Sequence, residues 1–153
     1  MEMIVGLLVL SLGIIPIVAL IMNMRKGLEN RNQEMIASTY AQSLFETMKS
    51  RKWDESVPSP GIYTATPSAI GPDAGETTLA DFDDVDDFNG YVDTPESGFQ
   101  RQVTVDYAAA GLNSAVGIIG TLTDFKYVQI EVKCGQQLGH TEVLQSVLAN
   151  GMN

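Results

Sequence analysis

From Met3 to Met22 the chain carries no charged side chain, and no other feature of the sequence constrains its fold as tightly. At about 1.5 Å of rise per residue, such a run forms a helix of roughly 30 Å, the thickness of a bilayer core. A cleaved signal peptide has a shorter apolar core and ends at a small-residue cleavage site. Here the run passes through Asn23-Met24-Arg25-Lys26 into more helical sequence. The expectation is therefore a retained apolar helix, membrane-spanning in its first half. Gly13 and Pro16 sit in its middle. Pro16 has no amide hydrogen for the Leu12 carbonyl, and its ring crowds that carbonyl. Gly13 adds backbone freedom one turn earlier. A kink or local unwinding is expected there, although Gly and Pro are also common in ordinary membrane helices.

The helical period outlasts the apolar run. Leu28, Ile36, Tyr40, Leu44 and Met48 recur in steps of four or eight, and Ala37, Ala41 and Phe45 widen their stripe. Glu29, Arg31, Gln33, Glu34, Gln42, Glu46 and Lys49 take the other side. This is an amphipathic helix with an apolar face to cover. Residues 2 to about 52 read as one rod of roughly 75 Å. Its first part (1–24) suits lipid or other helices, and its continuation (25–53) suits a folded domain.

Charge divides the chain at the same place. Residues 1–53 hold six basic and four acidic side chains, whereas residues 54–153 hold three and fifteen. A domain with a net charge of −12 repels nucleic acid and anionic headgroups, so nucleic acid is set aside as a partner. The segment 54–98 is rich in Pro, Gly, Ser, Thr and Asp and reads as a loop region draped over the domain, with Ile62, Tyr63 and Ile70 as its apolar points. Residues 99–153 read as an antiparallel sheet. Phe99, Val103, Val105 and Tyr107 share one face of the first strand, with Arg101 a mismatch among them. Val128, Ile130, Val132 and Cys134 point inward from the second, which spans residues 126–134. A third covers 141–148 after a turn at 136–139. Residues 108–122, small and apolar, fit either an irregular strand or a packed loop. The fold class is α+β: a long N-terminal helix laid by its apolar stripe on a C-terminal antiparallel sheet.

This order of parts resembles the type IV pilins and the pseudopilins of type II secretion. The resemblance rests on Met1-Glu2-Met3-Ile4-Val5-Gly6-Leu7-Leu8-Val9-Leu10, which is similar to the family's glutamate followed by an apolar run. Glu2 stands nearer the start of the chain than the family's glutamate does. Thr39–Met48 and the acidic stretch Asp83–Tyr91 are also similar to parts of pilin-like proteins. The resemblance implies a non-enzymatic subunit of a surface filament, held in the inner membrane as a precursor and then stacked helically with identical or homologous subunits. It also implies that Glu2 lies in the filament core near a neighbour's N-terminal amine. There, an unpaired charge is costly and a paired one selects register. Gly13 and Pro16 become the place where the assembled helix stretches. Arg25, Lys26 and Arg31 oppose this orientation under the positive-inside rule, but the rest of the pattern requires it. The alternatives are a single-pass membrane-anchored binding module and a secretion-system pseudopilin.

No catalytic constellation is legible. His140 is the one histidine and Cys134 the one cysteine. They supply neither a relay, nor a zinc cluster, nor an internal disulfide. Cys134 reads as a small core residue and His140 as an exposed strand start. No cofactor is required. Between Asp81 and Asp87 five carboxylates fall in seven residues. Calcium suits such oxygens, and Asp83, Asp84, Asp86, Asp87 and Asn89 are its candidate ligands, although their spacing is not that of an EF-hand. The competing reading is a solvated acidic loop that turns at Asn89-Gly90.

Overall fold

The computed structural model describes residues 2–54, 69–108, 125–134 and 139–150. One helix, α1 (Glu2–Lys49), precedes four strands: β1 (Val92–Asp93), β2 (Phe99–Tyr107), β3 (Phe125–Cys134) and β4 (His140–Ala149). The strands form one sheet in chain order, each antiparallel to the next. The layout is the expected α+β arrangement of one long helix on an antiparallel sheet.

Helix α1 extends for about 72 Å at ordinary helical rise. It is assigned as helix without a break through Gly13 and Pro16. In the single chain, then, the expected unwinding is absent. Proline forfeits one hydrogen bond, and the remaining backbone ladder is enough to carry the helix past it. The stretched form was expected in the assembled state, where neighbouring helices act on the rod.

The second half of α1 lies mainly across β3 and β4. Ala37, Ala41, Leu44 and Met48 are buried there, with Ile36, Tyr40 and Phe45 packed at their edges. The alanines let the helix axis approach the sheet, and Leu44 and Met48 fill the space beside them. Their partners are Val103 and Val105 on β2, Val128, Ile130, Val132 and Cys134 on β3, and Leu148 on β4. β2 and β3 thus turn alternate residues toward the helix, as a one-sided sheet must. Leu28 does not join this core. It is 67% exposed, because the buried stripe of the helix begins only at Ile36.

From residue 13 to residue 32 the side chains of α1 are exposed. Ile15 is 68% exposed and Leu20 60%, and Ile14, Ile17, Val18, Ile21, Met22 and Met24 are exposed beside them. No described helix is long and apolar enough to cross a membrane. The side chains of α1 are described without a gap only from Gly13, and Arg25 follows twelve residues on. The longer uncharged run from Met3 is a property of the sequence.

Two short elements were not anticipated. β1 is a two-residue edge strand that pairs Val92 with Gln102 and Asp93 with Arg101. Asp86–Phe88 forms a single 3-10 turn, and all three of its residues are buried. Residues 55–68, with Ile62 and Tyr63, lie outside the described residues, as do 109–124 and 135–138. The expectations placed on them are therefore not addressed.

Candidate functional site

The acidic stretch is not a solvated loop. Phe82, Val85 and Phe88 anchor it in the core, and Phe82, Phe88 and Tyr91 meet edge to face. Carboxylates between these anchors are drawn inside with them: Asp84, Asp86 and Asp87 are buried. Local hydrogen bonds meet part of the cost. Asp84 Oδ1 accepts from the amides of Asp86 (2.9 Å) and Asp87 (3.3 Å). Asp87 Oδ2 accepts from the amides of Asp83 (2.9 Å) and Asp84 (3.0 Å). Carboxylates in this sequence serve as backbone caps, the role in which aspartate competes best with regular structure. Asn89 closes the segment, its Oδ1 accepting from the Val105 amide at 3.0 Å. Gly90 then turns the chain at φ +81°, in the left-handed region, as expected for Asn89-Gly90.

The unexpected member is Lys126. It occupies an inward position of β3, two residues before Val128, and is 0% exposed. Its Nζ contacts Asp86 Oδ1 and donates to the Trp53 carbonyl at 2.5 Å. Asp54 Oδ2 lies 3.7 Å away, and the Trp53 ring centroid 4.4 Å. One buried cation thus ties the segment after α1, the acidic stretch and the start of β3 together. Such a pair is costly to bury and far more costly to break on one side. Asp84 borders it. Its carboxyl is pushed up to about 8, first by burial, then by its hydrogen bond with the Asp86 carboxyl and by the charges of Asp86 and Asp87, against the opposing pull of Lys126. Its acid form therefore persists well above the ordinary carboxylate range.

The five residues singled out for calcium are divided by the fold. Asp84 caps the 3-10 turn, Asp86 meets Lys126, and Asn89 holds β2. Among the described residues, the carboxylates that converge are those of Glu76, Asp83 and Asp87, each with an oxygen within 4.8 Å of the others. Glu76 has no counterpart in the sequence expectation. Its carboxyl is raised above the ordinary range by its hydrogen bond to Asp87, by burial and by the nearby charges, against a hydrogen bond from the Asp73 amide. Asp83 is also held at 2.8 Å by Lys52.

The other expected site residues all fall on α1. Glu2 opens it, and Gly13 and Pro16 lie exposed on its free half. Cys134 is buried, and its thiol is raised by that burial and by the charges of Glu142 and Glu34, in keeping with a core residue. His140 is exposed at the start of β4. Comparison of the chain with family models, with curated proteins and with solved structures gives no match in any of the three.

Proposed function

We propose that this chain is a structural, non-enzymatic subunit of a type IV pilin-like filament, assembled through the first half of α1. The observation that carries this reading is the contrast within a single helix. Its second half is covered by the sheet, whereas its first half exposes Ile14, Ile15, Ile17, Val18, Leu20 and Ile21 on every side. A helix apolar all round is a surface for lipid or for other apolar helices. The same half can serve both in turn, first as an anchor in the inner membrane and then as the core of an extracellular filament. In this reading Glu2 pairs with a neighbouring subunit's amine, and Gly13 and Pro16 are where the rod lengthens during assembly. The acidic domain faces outward, where its net charge keeps it soluble.

The test is negative-stain microscopy of material sheared from cells producing the chain, with mass spectrometry of its N-terminus. Filaments that contain the chain and are lost in Glu2→Ala, while the variant stays in the membrane fraction, are expected. A chain that remains in membranes and never enters filaments would overturn the reading in favour of an anchored binding module.

A further inference from the structure

We propose that Lys126 and Asp86 join covalently, in an intramolecular amide between the lysine Nζ and the aspartate Cγ. The geometry that carries this is the contact of the two reacting groups inside a closed core. Lys126 and Asp86 are both buried, and Nζ lies against Asp86 Oδ1. Their backbones are held by separate elements, β3 and the 3-10 turn, 40 residues apart in sequence. Neither side chain has to move far to react. Holding an amine and an acyl group in this relation replaces a bimolecular encounter with a positioned one, an advantage that reaches about 10⁵ M or more in effective concentration.

Amide formation from an ammonium and a carboxylate fails in water because both groups are charged and well solvated. Here solvent is excluded. For the attack, Nζ hands one proton to the Asp86 carboxyl, which leaves an uncharged amine beside an uncharged acid in a buried site. The amine then attacks Cγ. The Nζ–Cγ bond forms, one Cγ–Oδ bond breaks, and that oxygen departs as water. Both hydrogens of the water come from the original ammonium, and the third remains on the amide nitrogen. Nothing is oxidised or reduced, and no other reactant enters.

Asp84 supplies the acid that this sequence needs. Its carboxyl is buried and hydrogen-bonded to that of Asp86. Its acid form, favoured by that burial, can donate to an Asp86 oxygen, draw electron density from Cγ, and lend the leaving oxygen a proton that the nitrogen returns. The Trp53 carbonyl, at 2.5 Å from Nζ, accepts a hydrogen bond from the nitrogen and so orients its lone pair. Asp54, at 3.7 Å, is the more distant carboxylate. Read only as ion pairs, Lys126, Asp54 and Asp86 form a buried charge cluster of the kind that apolar side chains often replace without loss. The amide gives the lysine a product that no apolar residue could supply.

The bond is read directly from the intact mass of the full chain. The expected result is a species lighter than the sequence mass by one water. Tryptic digestion should then yield a branched peptide that joins Trp53–Arg101 to Gln102–Lys133, uncut at Lys126, with fragment ions that place the link at Asp86. Lys126→Met, Asp86→Ala and Asp84→Ala should each return to full mass, the last with both reacting residues still present. A wild-type chain at full mass with separate linear peptides overturns the proposal, and this measurement requires no variant to fold. A water lost as a succinimide, which leaves linear peptides, also overturns it, as does a branch at Asp54. A branched peptide that persists in Asp84→Ala overturns the role given to Asp84.

Discussion

Arg101 grips Asp93 through two nitrogens at once, Nε at 2.8 Å and a terminal nitrogen at 2.5 Å, while its third nitrogen donates to the Tyr40 carbonyl of α1 at 3.3 Å. The mismatch in the apolar face of β2 is thus a clasp between the sheet edge and the helix. Burial pushes the Asp93 carboxyl up, but the hydrogen bonds and charge of Arg101 outweigh it and hold the carboxyl below its ordinary range. Arg101→Ala would leave Asp93 half-buried without its cation and the Tyr40 carbonyl without its donor. The expected loss is on the order of 3 kcal/mol, read as a lower midpoint in chemical denaturation of the full chain in detergent. A loss within a few tenths of a kcal/mol would mean that the clasp is a surface pair.

Two carboxyls set opposite pH limits. Asp84 is raised to about 8 in the folded chain, against about 4 when unfolded. Between those values the folded state binds the extra proton, so stability falls as pH rises from about 4 to about 8 and then levels. Asp93 is lowered, so the stability it contributes is present above its unfolded value and is lost as pH falls through its folded one. Melting temperature should therefore fall from mildly acidic toward basic pH, and fall separately in strong acid. Asp84→Asn should reduce the first slope, to which the raised Glu76 carboxyl also contributes, and leave the second unchanged. An unaltered slope in that variant would locate the titration elsewhere.

Gly90 lies at φ +81° with nothing within 4 Å of where a Cβ would stand. Gly90→Ala therefore tests backbone conformation without steric clash. A loss of about 1–2 kcal/mol is expected from the left-handed geometry alone. A neutral result would show that the turn relaxes to ordinary angles.

Met48 and Leu44 close the helix–sheet core and are fully buried. Leu44→Ala should cost about 2–5 kcal/mol, whereas Leu28→Ala, on the uncovered part of the helix, should leave domain stability within about 0.5 kcal/mol. Equal effects from both would contradict the boundary at which the sheet stops covering the helix.

Much of this arrangement is written in periodicity. The steps of four from Ile36 to Met48 and the alternation in β2 and β3 locate the helix stripe and the inward faces of those strands, and all three long strands are located to within a residue. In β4, apolar residues on both faces leave the choice to the fold, which takes Leu144 and Leu148 inward. Periodicity does not announce Leu28's exposure, since how far a sheet reaches along a helix depends on tertiary placement. The Lys126 cluster was legible in part. Alternation back from Val128 places Lys126 on the inner face, and a lysine there demands an anion. Which of the many aspartates answers it cannot be read from spacing, because Asp54 and Asp86 arrive from segments far apart in sequence. The acidic stretch misleads for the opposite reason. Its charge density suggests solvent or a cation, whereas Phe82, Val85 and Phe88, interleaved with the carboxylates, pull it inward.

In the filament reading, Pro16→Ala restores the one backbone hydrogen bond that proline forfeits and should stiffen the rod. Filaments of that variant should differ in subunit rise or in flexibility by electron microscopy. Identical filaments would remove any assembly role for Gly13 and Pro16.

The unbroken course of α1 fixes an angular relation as well as a length. Each residue turns the helix by about 100°, so the azimuth of Leu20 relative to Ala41 is locked by the count of residues between them. One alanine inserted between Arg31 and Asn32 would rotate the exposed half by about 100° relative to the sheet and lengthen it by only about 1.5 Å, with every domain contact intact. Whatever packs against the exposed half is then presented with a different side, so handedness and twist in an assembly become properties of spacing in a segment that touches neither partner.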